Sequence, residues 1–175
     1  MSKIGIFYGS TEGNTERVAG KIQALLGTEV TDLINVASAS ADDFAQYDHV
    51  ILASSTWEMG ELQEDWDTFI DELDDVAWEG KQVAFVGLGD AIGYPDTFID
   101  AIGIIYDKIK GKGWTLVGEW PTDGYDYEDS KALIDGKFLG LAIDEDNQAN
   151  LTDKRIAAWV NIVKPAFEAL QKEEA

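Results

Sequence analysis

Apolar residues along this chain follow two rhythms. Short unbroken runs, Ile4-Gly5-Ile6-Phe7-Tyr8, Val50-Ile51-Leu52-Ala53 and Val83-Ala84-Phe85-Val86, are rich in β-branched and aromatic residues and read as strands buried on both faces. Weaker strand signals lie at 29–33 and 114–120, the latter resuming at 138–143 after an insertion, which brings the expected total to five strands. Between them, apolar residues recur at helical spacing: Val18, Ile22 and Leu25; Leu62, Trp66, Phe69 and Leu73; Phe98, Ile102, Ile105 and Ile109. The final segment repeats the pattern at Ile156, Val160, Val163, Phe167 and Leu170, with Thr152 and Asp153 as its cap and Pro165 at a kink. Alternation of strand and helix predicts an α/β fold, a parallel sheet covered on both faces, with ligands beyond the carboxyl ends of the strands. Chemistry is therefore expected in the loops that follow the strong strands.

The first of these loops, Gly9-Ser10-Thr11-Glu12-Gly13-Asn14-Thr15, runs from a strand into a helix start. Such a loop presents backbone N–H groups and a positive dipole end to a phosphate. No lysine follows Gly13, so the phosphate-loop NTPase pattern fails and a terminal phosphate held by neutral donors is expected. The second loop, Ser54-Ser55-Thr56-Trp57-Glu58-Met59-Gly60-Glu61-Leu62, carries a tryptophan just past a strand end, well placed to cover a planar ligand. Gly60 permits positive φ and lets the adjoining peptide turn. The third loop, Gly87-Leu88-Gly89-Asp90-Ala91-Ile92-Gly93-Tyr94-Pro95, offers an aromatic ring for stacking and a carboxylate for the ligand's edge. Its glycines do not match the dinucleotide fingerprint, because the third is displaced.

Composition narrows the chemistry further. A chain of 175 residues with 45% hydrophobic content is expected to fold as one domain, 1–175, burying roughly 70% of its unfolded surface. Cysteine is absent, which excludes thiolate catalysis, disulfides and iron–sulfur ligation, so redox chemistry must come from a bound cofactor. The single histidine, His49, precedes a strand run and reads as a strand-edge polar residue rather than a catalytic base. Thirty-four acids against 13 bases give a formal charge of −21, which argues against nucleic acid and anionic membranes as partners. No Lys or Arg occurs between Lys21 and Lys81, whereas acids crowd positions 58–79, a solvated face that also suits basic partner proteins. The run Asp144-Glu145-Asp146 reads as solvated surface, with no metal assigned. With no membrane-length apolar run and no signal-peptide layout at MSKIGIFYGS, a cytoplasmic protein is expected.

Together the three loops resemble those of the flavodoxins, specifically the long-chain branch, and the resemblance covers essentially the whole chain. The stretch from Thr122-Asp123-Gly124-Tyr125 to Asp144-Glu145-Asp146-Asn147-Gln148 looks like the insertion that marks that branch. The resemblance implies a flavodoxin-like three-layer sandwich with sheet order 2-1-3-4-5, the insertion in the fifth strand, and FMN (flavin mononucleotide) at the switch point between the first and third strands. By the same likeness Ser10, Thr11, Glu12 through its N–H, Gly13, Asn14 and Thr15 cradle the phosphate. Ser55, Thr56, Leu88 and Gly89 join the ring site, Trp57 and Tyr94 sandwich the ring, and Asp90 lies near its pyrimidine edge. The backbone of Glu58, Met59 and Gly60 meets flavin N5, a carbonyl turning to accept N5–H on reduction. The implied function is a low-potential single-electron carrier, not an enzyme, acting as a monomer. Its implied partners are basic redox proteins such as ferredoxin–NADP reductase, photosystem I or nitrogenase.

Rival readings fare worse. An FMN-dependent oxidoreductase acting on NAD(P)H leaves no region for a nicotinamide domain, and a signalling receiver needs an aspartate where Ser54-Ser55-Thr56 stands. A low-molecular-weight phosphatase needs the cysteine that this chain lacks. The chain departs from the flavodoxin pattern at Glu12, where a hydroxyl residue is usual. A carboxylate facing a phosphate would cost binding energy, so the Glu12 side chain is expected to point to solvent. Glu12→Thr should then leave the FMN dissociation constant unchanged at every salt concentration; a salt-dependent gain in affinity would place the carboxylate against the phosphate.

Overall fold

The computed structural model describes residues 3–11, 13–57 and 60–174, with side chains to 168. The chain runs β1 (Ile4–Tyr8), α1 (Asn14–Leu26), β2 (Thr31–Asn35), β3 (His49–Trp57), β4 (Glu61–Leu62), α2 (Glu64–Phe69), β5 (Gln82–Leu88), α3 (Asp100–Ile109), β6 (Thr115–Leu116), β7 (Leu133–Ile134), β8 (Lys137–Phe138), β9 (Leu141–Ile143) and α4 (Thr152–Glu174). The three strong apolar runs form the sheet's centre, in the order β2-β1-β3-β5 with β6 and β9 sharing the fifth place. All these pairings are parallel. Right-handed crossovers that leave β1 in one direction and β3 in the other must put their helices on opposite faces. Accordingly α4 packs against α1, while α3 covers β3 and β5. Every residue of β1 is buried, as a strand flanked on both edges and covered on both faces must be.

The fifth strand is split as the sequence predicts. β6 pairs with Gln82 and Val83, β9 pairs with Val86, Gly87 and Leu88, and the chain between them leaves the sheet. It returns at Gly140, where a Cβ would sit 2.1 Å from the Phe85 carbonyl oxygen. The excursion contains the β7–β8 hairpin, turned by Asp135 (φ 51°) and Gly136 (φ 82°), the paired left-handed residues of a two-residue hairpin loop. Phe98 anchors it by packing on Tyr125, Tyr127 and Phe138. The Tyr125 hydroxyl accepts from Trp120 Nε1 (2.8 Å) and donates to the Ala142 carbonyl (2.6 Å), with the Arg155 guanidinium 4.0 Å above its ring. Burial pushes that hydroxyl up to about 12, so it stays a donor at neutral pH.

Several elements differ from the periodicity, each for a local reason. Residues 28–30 form a turn, so β2 starts at Thr31 rather than at 29. Leu26, not Leu25, completes the inner face of α1. The 62–73 pattern is not one helix: Leu62 pairs back on β3 in β4, α2 is short, and a 3-10 turn at Ile70–Asp75 carries Leu73 into the core. Phe98 stands ahead of α3, and Pro165 lies inside α4 with helix on both sides of it. Leu170 lies outside the described side chains. His49 opens β3 at the sheet's amino edge, but its ring is wholly buried, 4.9 Å from that of Phe167.

Two glycine-to-alanine exchanges separate close packing from free space. Gly140→Ala, forced against Phe85, should lower unfolding free energy by about 1–3 kcal/mol. Gly20→Ala, in α1 with nothing within 4 Å of the new methyl group, should raise it by about 0.5–1 kcal/mol. Urea unfolding of both variants checks the contrast.

Candidate functional site

Beyond the carboxyl ends of β1, β3 and β5 lies an open cavity of about 420 Å³, lined by Ser10, Thr11, Asn14, Thr15, Ser55, Thr56, Trp57, Leu88, Gly89, Asp90, Tyr94, Glu145 and Asp146. Its floor is set by register. β3 and β5 continue past the end of β1, pairing Ser54 with Gly87 and Ser55 with Leu88, after β1 has closed on Ala53 at Tyr8. Eleven of the expected site residues therefore meet in one place. Gly13 and Gly60 shape the loops instead of lining the cavity. Glu12, Glu58 and Met59, expected at the phosphate and at N5, lie outside the described residues.

The first loop enters α1 through Gly13, whose φ of 90° is left-handed and whose N–H donates to Ser10 Oγ at 3.0 Å. Ser10, Thr11, Asn14 and Thr15 then face the cavity at the positive end of a 13-residue helix. Among the described residues no lysine or arginine lines the cavity. Arg17, one turn into α1, hydrogen-bonds the Asn14 side-chain oxygen instead.

Gln63 is a member of the supporting shell that periodicity did not reveal. Its Oε1 caps α2 by accepting from the Asp65 and Trp66 N–H groups, at 3.0 and 3.2 Å. Those unambiguous donors orient the amide, so Nε2 donates to Thr11 Oγ1 at 3.0 Å. A Cβ at Gly9 would lie 2.1 Å from Gln63 Oε1, so this close approach accounts for the glycine. The second loop is held similarly. Trp57 Nε1 donates to Ser55 Oγ at 3.0 Å, and Thr56 Oγ1 accepts the Ala101 N–H at 3.0 Å. β4 folds back on β3, pairing Trp57 with Glu61, while Gly60 (φ 90°) donates its N–H to the Trp57 carbonyl at 3.1 Å.

The third loop wraps around Asp90. Its Oδ1 accepts N–H groups from Ile92 (3.1 Å) and Gly93 (2.7 Å), and its carbonyl accepts the Tyr94 N–H (3.0 Å). Burial pushes the Asp90 carboxyl up, but hydrogen bonds from Gly93, Asn147 and Ile92 outweigh it and hold the group below its ordinary value. Tyr94 remains 47% exposed, leaving a ring face available.

The loop after β9 corrects the reading of Asp144-Glu145-Asp146 as solvated surface at its first residue, whereas Asp146 is exposed as expected. Asp144 is buried, its Oδ2 accepting the Ala91 N–H at 3.1 Å, and Glu145 and Asp146 line the cavity. The signal was topological: Asp144 follows the carboxyl end of a strand that neighbours β5, so its loop opens at the same edge as the other three.

Comparison with known proteins agrees with this geometry. The flavodoxin family model matches residues 6–159. A flavodoxin from Synechocystis sp. is 49% identical over 170 residues, covering 97% of this chain and 100% of the relative. A flavodoxin from Trichodesmium erythraeum is 52% identical over 169 residues, covering 95% and 99%. Among solved structures, Fusobacterium nucleatum flavodoxin bound to flavin mononucleotide superposes with a TM-score of 0.89 at 34% identity, covering 95% of this chain and 99% of that one. A sheet that reverses direction beside β1, an aromatic-walled cavity at that reversal and these matches along nearly the whole sequence lead to one conclusion: the chain belongs to the flavodoxin family.

Proposed function

We propose that this protein holds FMN in the cavity beyond β1, β3 and β5 and carries electrons singly, at low potential, between basic redox partners. The observation that carries the proposal is the composition of the cavity wall: neutral donors from the start of α1, two aromatic rings from the second and third loops, and carboxylates from the third loop and the loop after β9. The donor set fits the cofactor. Ser10, Thr11, Asn14 and Thr15 suit a phosphate that needs hydrogen bonds and a dipole end rather than a countercharge. Trp57 and Tyr94 suit a flat ring, and Asp90 suits an N–H on the ring's edge. Bound FMN supplies a ring that accepts and releases electrons one at a time.

The chain's own residues set how readily it does so. Asp90, Glu145 and Asp146 line the cavity of a protein with formal charge −21, so each added electron meets a negative field. Every tenfold weakening of binding to the reduced ring relative to the oxidised ring lowers a one-electron potential by about 59 mV. Tyr94, which lines the cavity, and Ile92, two residues before it in the same loop, are 47% and 63% exposed and offer an apolar surface to an approaching partner. Among the described residues no helix is long and apolar enough to cross a membrane. We read the protein as a cytoplasmic monomer whose partners are basic redox proteins such as ferredoxin–NADP reductase, photosystem I or nitrogenase, a reading that rests on the family likeness and, for the basic partners, on the acidic composition.

The purified protein should be yellow with quenched flavin fluorescence, and an anaerobic reductive titration should resolve two one-electron steps. A colourless protein that does not take up added FMN, or a single two-electron step, contradicts the proposal. Reduction by ferredoxin–NADP reductase should slow as salt rises from about 10 to 300 mM, the range over which the Debye length shrinks from about 30 Å to below 8 Å. A salt-independent rate would remove the acidic 58–79 face from partner steering.

A further inference from the structure

Three carboxylates, Asp90 and Asp146 in the cavity lining and the buried Asp144 beside them, bring oxygens within 4.8 Å of one another. One neutral side chain stands among them. Asn147 Nδ2 lies 2.7 Å from Asp90 Oδ1 and 2.9 and 3.1 Å from the two Asp144 oxygens, and its backbone N–H donates to Asp144 Oδ1 at 3.0 Å. Ionised carboxylates only accept hydrogen bonds, so the amide nitrogen, not its oxygen, must face them. The amide is therefore the only described link drawn directly from one carboxylate of the third loop to one of the loop after β9. A second tie, from the Ala91 N–H to Asp144 Oδ2, depends on the same carboxylate staying in place.

We infer that Asn147 is a positioning residue for the flavin ring: its two amide protons let Asp90 and Asp144 approach each other and so fix the Asp90–Tyr94 loop against the cavity. The inference rests on the FMN reading above. Asp90 is fastened to the ring-facing loop by Ile92 and Gly93, so a displaced Asp90 carries the Tyr94 wall with it. The effect should fall on the ring and not on the phosphate, which is held by another loop. The charged groups facing this junction are Asp90 from the third loop, Asp144, Glu145 and Asp146 from the loop after β9, and Arg155 from α4, which reaches Gln148 at 2.7 Å. The described residues of the first loop that line the cavity are uncharged.

The test replaces the protons while keeping the shape. Asn147→Asp puts an oxygen acceptor where the amide donated, so at pH 7.5 it should weaken both FMN and riboflavin by the same factor, about tenfold or more. Crowding with Asp90 and Asp144 raises the pKa of the new carboxyl, so lowering the pH to about 5 should return a proton to the amide's place. The ratio of variant to wild-type dissociation constants should then fall back toward one. Asn147→Ala, which removes the donor without adding a third carboxylate, should weaken both ligands at pH 7.5 by a smaller factor than Asn147→Asp does. Flavin fluorescence quenching on the full chain reads all of these constants. A loss confined to FMN, an unchanged affinity in Asn147→Asp, or a loss in that variant that persists at pH 5 overturns the inference and leaves the proposed function standing. Failure of the wild type to bind either flavin overturns both.

Discussion

Parallel strands cannot be joined by a tight turn, and that constraint places the site. Each strand must send its chain across a face of the sheet before the next can begin, so the loops that follow the strands collect at one edge. Where consecutive crossovers go to opposite faces, beside β1, two of those loops separate and leave a crevice. The longer reach of β3 and β5 deepens it, because their last residues pair with each other beyond the end of β1. The cavity is thus a product of sheet order and register, and the side chains that line it only have to be suitable.

Those side chains reconcile two opposed electrostatic demands. A protein of charge −21 must hold an anionic phosphate, yet among the described residues no cationic side chain lines the cavity. The distances explain how. Net charge acts over several ångströms of water and is screened within about 8–10 Å at physiological salt, whereas hydroxyls, the Asn14 amide and backbone N–H groups act at contact. Donors already fixed in the folded chain do not have to be ordered on binding, as the Ser10 hydroxyl held by the Gly13 N–H and the Thr11 hydroxyl held by Gln63 illustrate. The long-range field is left to act on partners and on added electrons.

What the sequence made legible and what it hid divide along separation in the chain. The strong strands, three of the loops and the split fifth strand were readable because apolar runs and the glycines that end them are local signals. The contacts that hold the loops together were not readable. Gln63 meets Thr11 across 52 positions and Asn147 meets Asp90 across 57, and neither pair has any periodicity. Asp144 was misread for a related reason: a run of acids looks solvated until tertiary structure buries one of its members. The 62–73 pattern failed differently, because an apolar spacing compatible with one helix was divided between a returning strand, a short helix and a 3-10 turn.

The loops depend on polar contacts because the apolar core ends where the strands end. Past Tyr8, Ser55 and Leu88 each loop is held by groups on its neighbour. Thr56 caps α3, whose first residue, Asp100, accepts the Lys131 N–H of the inserted segment at 2.7 Å. A Cβ at Gly60 would fall 2.8 Å from the other Asp100 oxygen. Burial raises this carboxyl above its ordinary value, with the Lys131 N–H and the Lys131 charge opposing the rise. The insertion that splits the fifth strand is therefore in contact, through one aspartate, with the loop that carries Trp57. A segment far from β1 in sequence thus helps to fix one aromatic wall of the cavity, while the loop after β9 fixes the other. Both supports consist of hydrogen bonds accepted by buried carboxylates, Asp100 on one side and Asp144 on the other, that lie behind the cavity wall rather than in it.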